Sequence, residues 1–331
     1  MEGSEPMSLP LSPPPRTTFS RWPHRLAWAL ACAVFPLIWL GALVTTCDAG
    51  MSIPDWPTTY GHWLYPIHRW LWGYWDIFLE HGHRMWAQLV GLIAIVLAVV
   101  LWTLDGRKWM RPLAVLVVVG VVAQGTLGGL RVTAGQRLLA MVHGCTAPAF
   151  FALYAAIVAL TSPRWQRGDQ PAPCATAPRL HFLTTALAAA LYAEIVSGAQ
   201  LRHLFFDSPP GWFLLWVRVE LILAGLIALG IGWLVIDVRR SAGGVPMVVR
   251  RAWWLAGLFA LQVLLGAATW VTNYGFPAWF QQYVWAMGYT VAQGGRWQVN
   301  LTTAHVAVGS LTLVAALSLT LWSRRLLRGM P

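Results

Sequence analysis

The stretch LEHGHRMWAQLVGLIAIVLAVVLW, residues 79–102, decides how the chain is read. From Trp86 to Trp102 it is an apolar run of the kind that crosses a bilayer as a helix, which takes about 20 residues. Just before that run stand Glu80, His81, His83 and Arg84, two imidazoles, an acid and a base at the mouth of a membrane helix. Ionisable groups are costly there and mark function by default, each with a partner to be named.

The composition agrees. Of 331 residues, 57% are hydrophobic and only 11% charged. A soluble domain carries roughly 25% charged residues, so a water-facing surface is excluded and the chain is an integral membrane protein. The net charge of +11 does not indicate nucleic acid. The basic residues sit in short clusters between apolar runs, where they set topology. Four cysteines (Cys32, Cys47, Cys145, Cys174) show neither a CxxC nor a metal-ligand spacing, so no zinc site or disulfide framework is supported. A disulfide between Cys47 and Cys145 remains open.

Eight apolar stretches follow, at about 25–46, 84–104, 112–132, 138–161, 180–200, 213–236, 252–272 and 300–322. None alternates as barrel strands do. The fold class is therefore all-α, eight transmembrane helices arranged as two pseudo-symmetric four-helix bundles. Residues 1–22 read as a disordered cytosolic tail, 23–165 as an N-terminal half, 166–178 as a cytosolic linker and 179–331 as a C-terminal half. Clusters at Arg16/Arg21/Arg25, Arg107/Lys108/Arg111, Arg164/Arg167/Arg179, Arg239/Arg240/Arg250/Arg251 and Arg324/Arg325/Arg328 hold most of the 23 basic residues. With eight spans all of them share one side, which puts both termini in the cytosol. Segments 47–82 and 273–299 then become long outer loops.

The helices repeat. Gln124-Gly125-Thr126-Leu127-Gly128 recurs as Glu194 to Gly198 and Gln262 to Gly266, and helix 1 keeps the glycine at Gly41. The even helices pair a ligand-type residue with a small one a turn later: His83 with Ala87, His143 with Ala147, Glu220 with Ala224, His305 with Gly309. Small residues allow close approach of a backbone or a flat ligand. One imidazole from each of two helices at equal depth suits a planar ring with two axial ligands, bis-histidine haem. His83 and His143 would serve the first half; in the second, His305 has its positional partner at Glu220, which is not a histidine.

Each reading has a plainer competitor. His83 could be an interfacial histidine bonded to the loop, and His305 part of a polar cap with Asn300, Thr302 and Thr303. Glu80 could stabilise a developing cation or take a proton, or be an acid favoured by a helix N-terminus. Arg84 snorkels to the interface or binds a propionate. Glu194, Arg218 and Glu220 read first as a structural ion-pair group. His62, His68, His81 and His203 read as loop residues, and His24 and His181 as interfacial ones on the cytosolic side.

Glu80-x-x-His83-Arg84, His143, His305, Asp48-Ala49-Gly50-Met51-Ser52-Ile53-Pro54-Asp55-Trp56-Pro57 and Gly128-Gly129-Leu130-Arg131-Val132 together resemble the haem A synthase family. The resemblance covers essentially everything after residue 25. It implies an oxidoreductase of the bacterial cytoplasmic membrane that converts the C8 methyl of farnesylated haem O to a formyl group for cytochrome oxidase. It implies Glu80 as catalytic residue, His83 and His143 as ligands of the substrate haem iron, and a haem b cofactor near His305, with Glu220 and Arg84 as further candidates. Haem O synthase and the oxidase assembly machinery are the implied partners, an electron donor is required, and a homo-oligomer is open. Two features depart from the family: helix 6 offers Glu220 in place of a histidine, and the first outer loop has Cys47 without a second cysteine. Outside the enzyme class, a bis-histidine cytochrome for electron transfer or haem delivery is the alternative. A transporter with broken helices is disfavoured, since no helix carries paired Gly/Pro interruptions near its middle.

Overall fold

A bilayer core gives no water to unpaired backbone groups, so each apolar run must close its hydrogen bonds within itself. The computed structural model describes residues 20–168, 170–204, 208–283 and 286–330; the expected tail lies outside them up to residue 19. In chain order the helices are α1 (Trp22–Thr46), a short α2 (Ile67–Leu71), α3 (Trp75–Leu104), α4 (Arg111–Thr133), α5 (Arg137–Thr161) and a short α6 (Pro163–Gln166). The second half of the chain adds α7 (Ala177–Arg202), α8 (Pro210–Ser241), α9 (Pro246–Tyr274) and α10 (Arg296–Leu326). Eight of these are long and apolar enough to cross a membrane. Strands β1 (Ala172–Pro173) and β2 (Leu327–Arg328) pair in parallel, tying the segment between α6 and α7 to the end of α10.

The ends of the spans lie further out than their apolar runs. Helix α3 begins at Trp75, not near residue 84, and takes the whole Glu80–Arg84 motif inside. At the basic end the extra turns find partners: Arg179 donates to Asp237 at 2.9 Å, and Arg107 to Asp105 and the Leu160 carbonyl, both at 2.9 Å. Prolines stand in the first turns of α1, α4, α7, α8 and α9, where a missing N–H is harmless. Gly275 closes α9 at φ 82°, a conformation that favours glycine.

Helices adjacent in sequence pack as neighbours: α1 with α3, α4 with α5, α7 with α8, α9 with α10. Helix α10 also meets α1, α5 and α7. One buried cluster draws on α1, α3, α4 and α5, centred on Leu30, Leu97 and Ile157. A second, with Leu180, Leu234 and Leu319 fully buried in it, draws on α7 to α10 and takes in Ala152 and Ala159 of α5. Leu221, Leu229 and Leu264 on α8 and α9 stay exposed, as lipid-facing residues do.

Lipid tails are as apolar as leucine, so helices associate through close packing and interhelical hydrogen bonds. Trp86 Nε1 donates to the Ala33 carbonyl at 2.8 Å, and Thr320 Oγ1 to the Thr184 carbonyl at 3.0 Å. A Cβ on Gly120 would stand 2.3 Å from the Phe150 ring, so α4 and α5 touch there only because glycine is present. Gly120→Ala should therefore lower stability in detergent by about 1–3 kcal/mol, the usual penalty of overpacking. Gly257→Ala, where nothing lies within 4 Å, should leave the thermal midpoint unchanged or raise it slightly.

Candidate functional site

With α3 extended to Trp75, Glu80, His83 and Arg84 fall on successive turns of one helix face. The His83 ring meets α1 at its Cε1 edge: a Cβ at Gly41 would be 3.0 Å from that atom. The same contact recurs three times. Gly128 of α4 seats His143 of α5 at 3.3 Å, Gly266 of α9 seats His305 of α10 at 3.0 Å, and Gly198 of α7 meets Glu220 of α8 at 3.5 Å. The repeated glycine and the repeated ligand-type residue are thus two halves of one contact. Gln124, another repeat position, bonds Thr146 at 2.6 Å, while its counterpart Gln262 lies against Gly309.

The Nδ1 atoms of His83, His143 and His305 are buried without a hydrogen-bond partner among the described residues. A buried polar atom left unpaired costs free energy, so these rings are not satisfied core histidines. His143, Arg131 and Arg84 are the titratable side chains that interact with His83 electrostatically. No set of three or more His, Cys, Asp or Glu side chains able to hold an ion exists among the described residues. One ligand per helix suits an iron that brings its equatorial ligands with it, as in haem.

Glu80 and Arg84 form a clasp. Glu80 is 2% exposed; one carboxylate oxygen accepts from Arg84 at 2.7 Å and the other from the Ile53 N–H at 3.0 Å. Arg84 also donates to the carbonyls of Ile53 (3.1 Å), Asp55 (2.7 Å) and Thr58 (3.0 Å). Four of its five donors are therefore committed, and it neither snorkels nor has a free fork for a propionate. The clasp folds the 47–74 loop onto the helix ends, where Trp56 covers Gly129 so closely that a Cβ there would fall 2.2 Å from the indole.

His81 is not a solvated loop residue. It is 7% exposed within α3, bonds the Thr59 hydroxyl at 3.1 Å and meets the Trp70 ring edge-on at 5.5 Å. It faces away from His83, as a spacing of two on a helix requires. His203 caps the end of α7, where burial first, then Arg202, Arg131 and Arg137, lower its pKa to about 4.

In the other half, Glu220 Oε1 stands 4.0 Å from His305 Nε2, with side-chain exposures of 27% and 23%. That is too long for a hydrogen bond and equals two metal–ligand bonds of about 2 Å each. Arg218 is exposed and forms no ion pair with Glu194 or Glu220, so the expected ion-pair group is absent there; Glu194 Oε2 is buried without a partner. Cys47 and Cys145 are both free thiols, which removes the disulfide between them.

Sequence reasoning missed Arg131 as a site residue. It lies one turn beyond Gly128, and that spacing was the available signal.

Comparison with known proteins gives a consistent result. Residues 74–205 match a family described as cytochrome oxidase assembly protein. Over 169 residues the chain is 30% identical to "Heme A synthase" of Halalkalibacterium halodurans, covering 49% of this chain and 53% of that one. It is 29% identical over 168 residues to the protein of that name from Alkalihalophilus pseudofirmus, covering 49% and 54%. Over 248 residues it is 27% identical to that of Shouchella clausii, covering 73% and 74%. The matches support the haem A synthase family at modest identity, although the chain spans about half the length of the first two relatives. The family segment holds Glu80, His83, Arg84, Arg131 and His143 and ends before Glu220 and His305.

The loop itself carries a titration. Burial would raise the Asp55 carboxyl, but hydrogen bonds from Gly61 N–H, the Thr58 hydroxyl and Tyr60 N–H outweigh it and hold the pKa at about 2. A carboxylate depressed by folding contributes fully above its ordinary pKa and loses that contribution as pH falls through the folded value. Hydrogen-exchange protection of residues 53–61 should hold from neutral pH down to 3.8 and fall between there and about 2. In Asp55→Asn the protection should be lower at neutral pH and flat across that interval.

Proposed function

We propose that this protein is a haem A synthase-like membrane oxidoreductase that takes farnesylated haem O as substrate and oxidises its C8 methyl to a formyl group for cytochrome oxidase assembly. The observation that carries this reading is the pair His83 and His143, each seated on a glycine with a buried, unpartnered Nδ1, inside the segment that matches the family. The two imidazoles would hold the substrate iron from opposite faces. Residues 23–165 then form the substrate half, 166–178 the linker and 179–331 the cofactor half. The basic clusters support cytosolic termini in a bacterial inner membrane, with the 47–74 loop outside. Haem O synthase would supply the substrate, and oxidase assembly factors would receive the product.

The cofactor half suits a haem b held by His305 and Glu220. His305 Nε2 and Glu220 Oε1, 4.0 Å apart and beside the Gly266 and Gly198 seats, are the groups that would hold its iron. When bound, such a haem supplies one-electron transfer. The chain's part is to seat it and to exclude water.

Glu80 is the candidate catalytic residue because it lies one turn from His83, where a carboxylate can stabilise positive charge developing on the substrate. Both its oxygens are occupied, however, and that favours a second reading: a haem-binding cytochrome in which Glu80 serves only to hold the loop. Pigments extracted with the purified protein separate the two. Haem A or hydroxylated haem O supports the enzyme; haem b alone supports the cytochrome.

Replacing His83 or His143 by Ala should abolish the low-spin spectrum of the substrate haem, and an unchanged spectrum in both would sink the pairing. Glu80→Gln keeps the size of the side chain and one of its two acceptors, for Ile53 or for Arg84, so the loop's fold is checked alongside by hydrogen-exchange protection of residues 53–61. In an enzyme it should still cut haem A yield by roughly a hundredfold, the range of positioned acid–base and electrostatic groups. Normal yield would assign Glu80 to the clasp alone. Glu220→His should turn the cofactor haem into a bis-histidine low-spin centre, read in the α-band and by electron paramagnetic resonance; no spectral change would remove Glu220 from the iron.

A further inference from the structure

A second arginine sits beside the His83/His143 pair, and its surroundings are the reverse of Arg84's. Arg131 is in the last turn of α4, three residues past the glycine that seats His143. Its guanidinium is half-buried, with Gly50 of the covering loop so close that a Cβ would stand 2.7 Å from its Nη2. Among the described residues it makes no hydrogen bond and no ion pair. Glu80, Arg84, His83, His143 and His203 are the titratable groups that interact with it electrostatically. Glu80, the acid of that set, is already bonded through both oxygens to Arg84 and Ile53. A partly desolvated guanidinium with no anion bonded to it is costly, and its planar fork matches a carboxylate.

We propose that Arg131 anchors a propionate carboxylate of the tetrapyrrole that His83 and His143 hold, on the ring edge facing the 47–74 loop. This rests on the reading of the His83/His143 pair as a haem site. Arg131 lies one turn from His143's seat toward the loop, so a ring between the imidazoles presents its edge to that arginine. The guanidinium thereby sets the ring's rotation about its axis, and so decides which edge is turned away from the loop.

The test uses the full-length protein in detergent, titrated with haem b and with haem b dimethyl ester, which lacks the carboxylate charge. The signal is the part of the Soret change that disappears in His83→Ala. Wild type should bind the free acid roughly ten- to a hundredfold more tightly than the diester, the range of a charge-assisted hydrogen bond. Arg131→Gln should bring the free acid down to the level of the diester and leave the diester where it was; Arg131→Lys should keep part of the preference. If Arg131→Gln weakens both forms equally, its role is structural and the proposal is overturned. If the preference survives, a different group reads the propionate or Arg131 serves a lipid phosphate, and the proposal is again overturned. Loss of all His83-dependent binding in wild type would instead remove the haem site on which it rests.

Discussion

The close approach of a glycine to a ligand-type side chain is the contact on which the rest of this structure depends. In a bilayer, two helices gain little from hiding apolar surface against each other, so their separation is set by what stands between them. At Gly41, Gly128 and Gly266 the answer is the edge of an imidazole at about van der Waals distance. A Cβ at those positions would stand 3.0–3.3 Å from the ring, so the ring or the helix would have to give by a few tenths of an ångström. The same contact therefore holds the pair together and fixes the direction of the ring. Packing and site geometry cannot be varied separately in this bundle.

The fourth contact, Gly198 with Glu220, keeps the backbone arrangement and changes the chemistry. A carboxylate is anionic where an imidazole is neutral, and it offers oxygen rather than nitrogen. Seating it near His305 leaves the second half with an unlike pair, while the first half has two imidazoles, His83 and His143, each against a glycine. Duplicated architecture has thus been used for two electrostatically different chambers.

Much of this was legible in the residues. Twenty-residue apolar runs and the clustering of Arg and Lys on alternate connections dictate eight spans, and the recurrence of Gly128, Gly198 and Gly266 marks the contact positions. The beginning of α3 was not legible, because hydropathy falls at Asp76 and Glu80 although the helix continues. Its polar turns are satisfied by a loop that returns from 22 or more residues away in sequence, through Ile53 and Thr59. The same long-range pairing hid the roles of Arg84 and His81, whose acceptors lie in that loop. Local pattern shows which groups need partners; which partner arrives is decided by the tertiary fold.

The last of the eight helices is also the most central. Helix α10 packs against α1, α5, α7 and α9, and it carries His305. During synthesis the earlier helices enter the membrane first, so seven of them must wait side by side without the element that joins the two cores. Until α10 inserts, the inner faces of α1, α5 and α7 are open to lipid or to one another. The two cores are therefore joined only once α10 is in place, and the seat of His305 is completed in the same step.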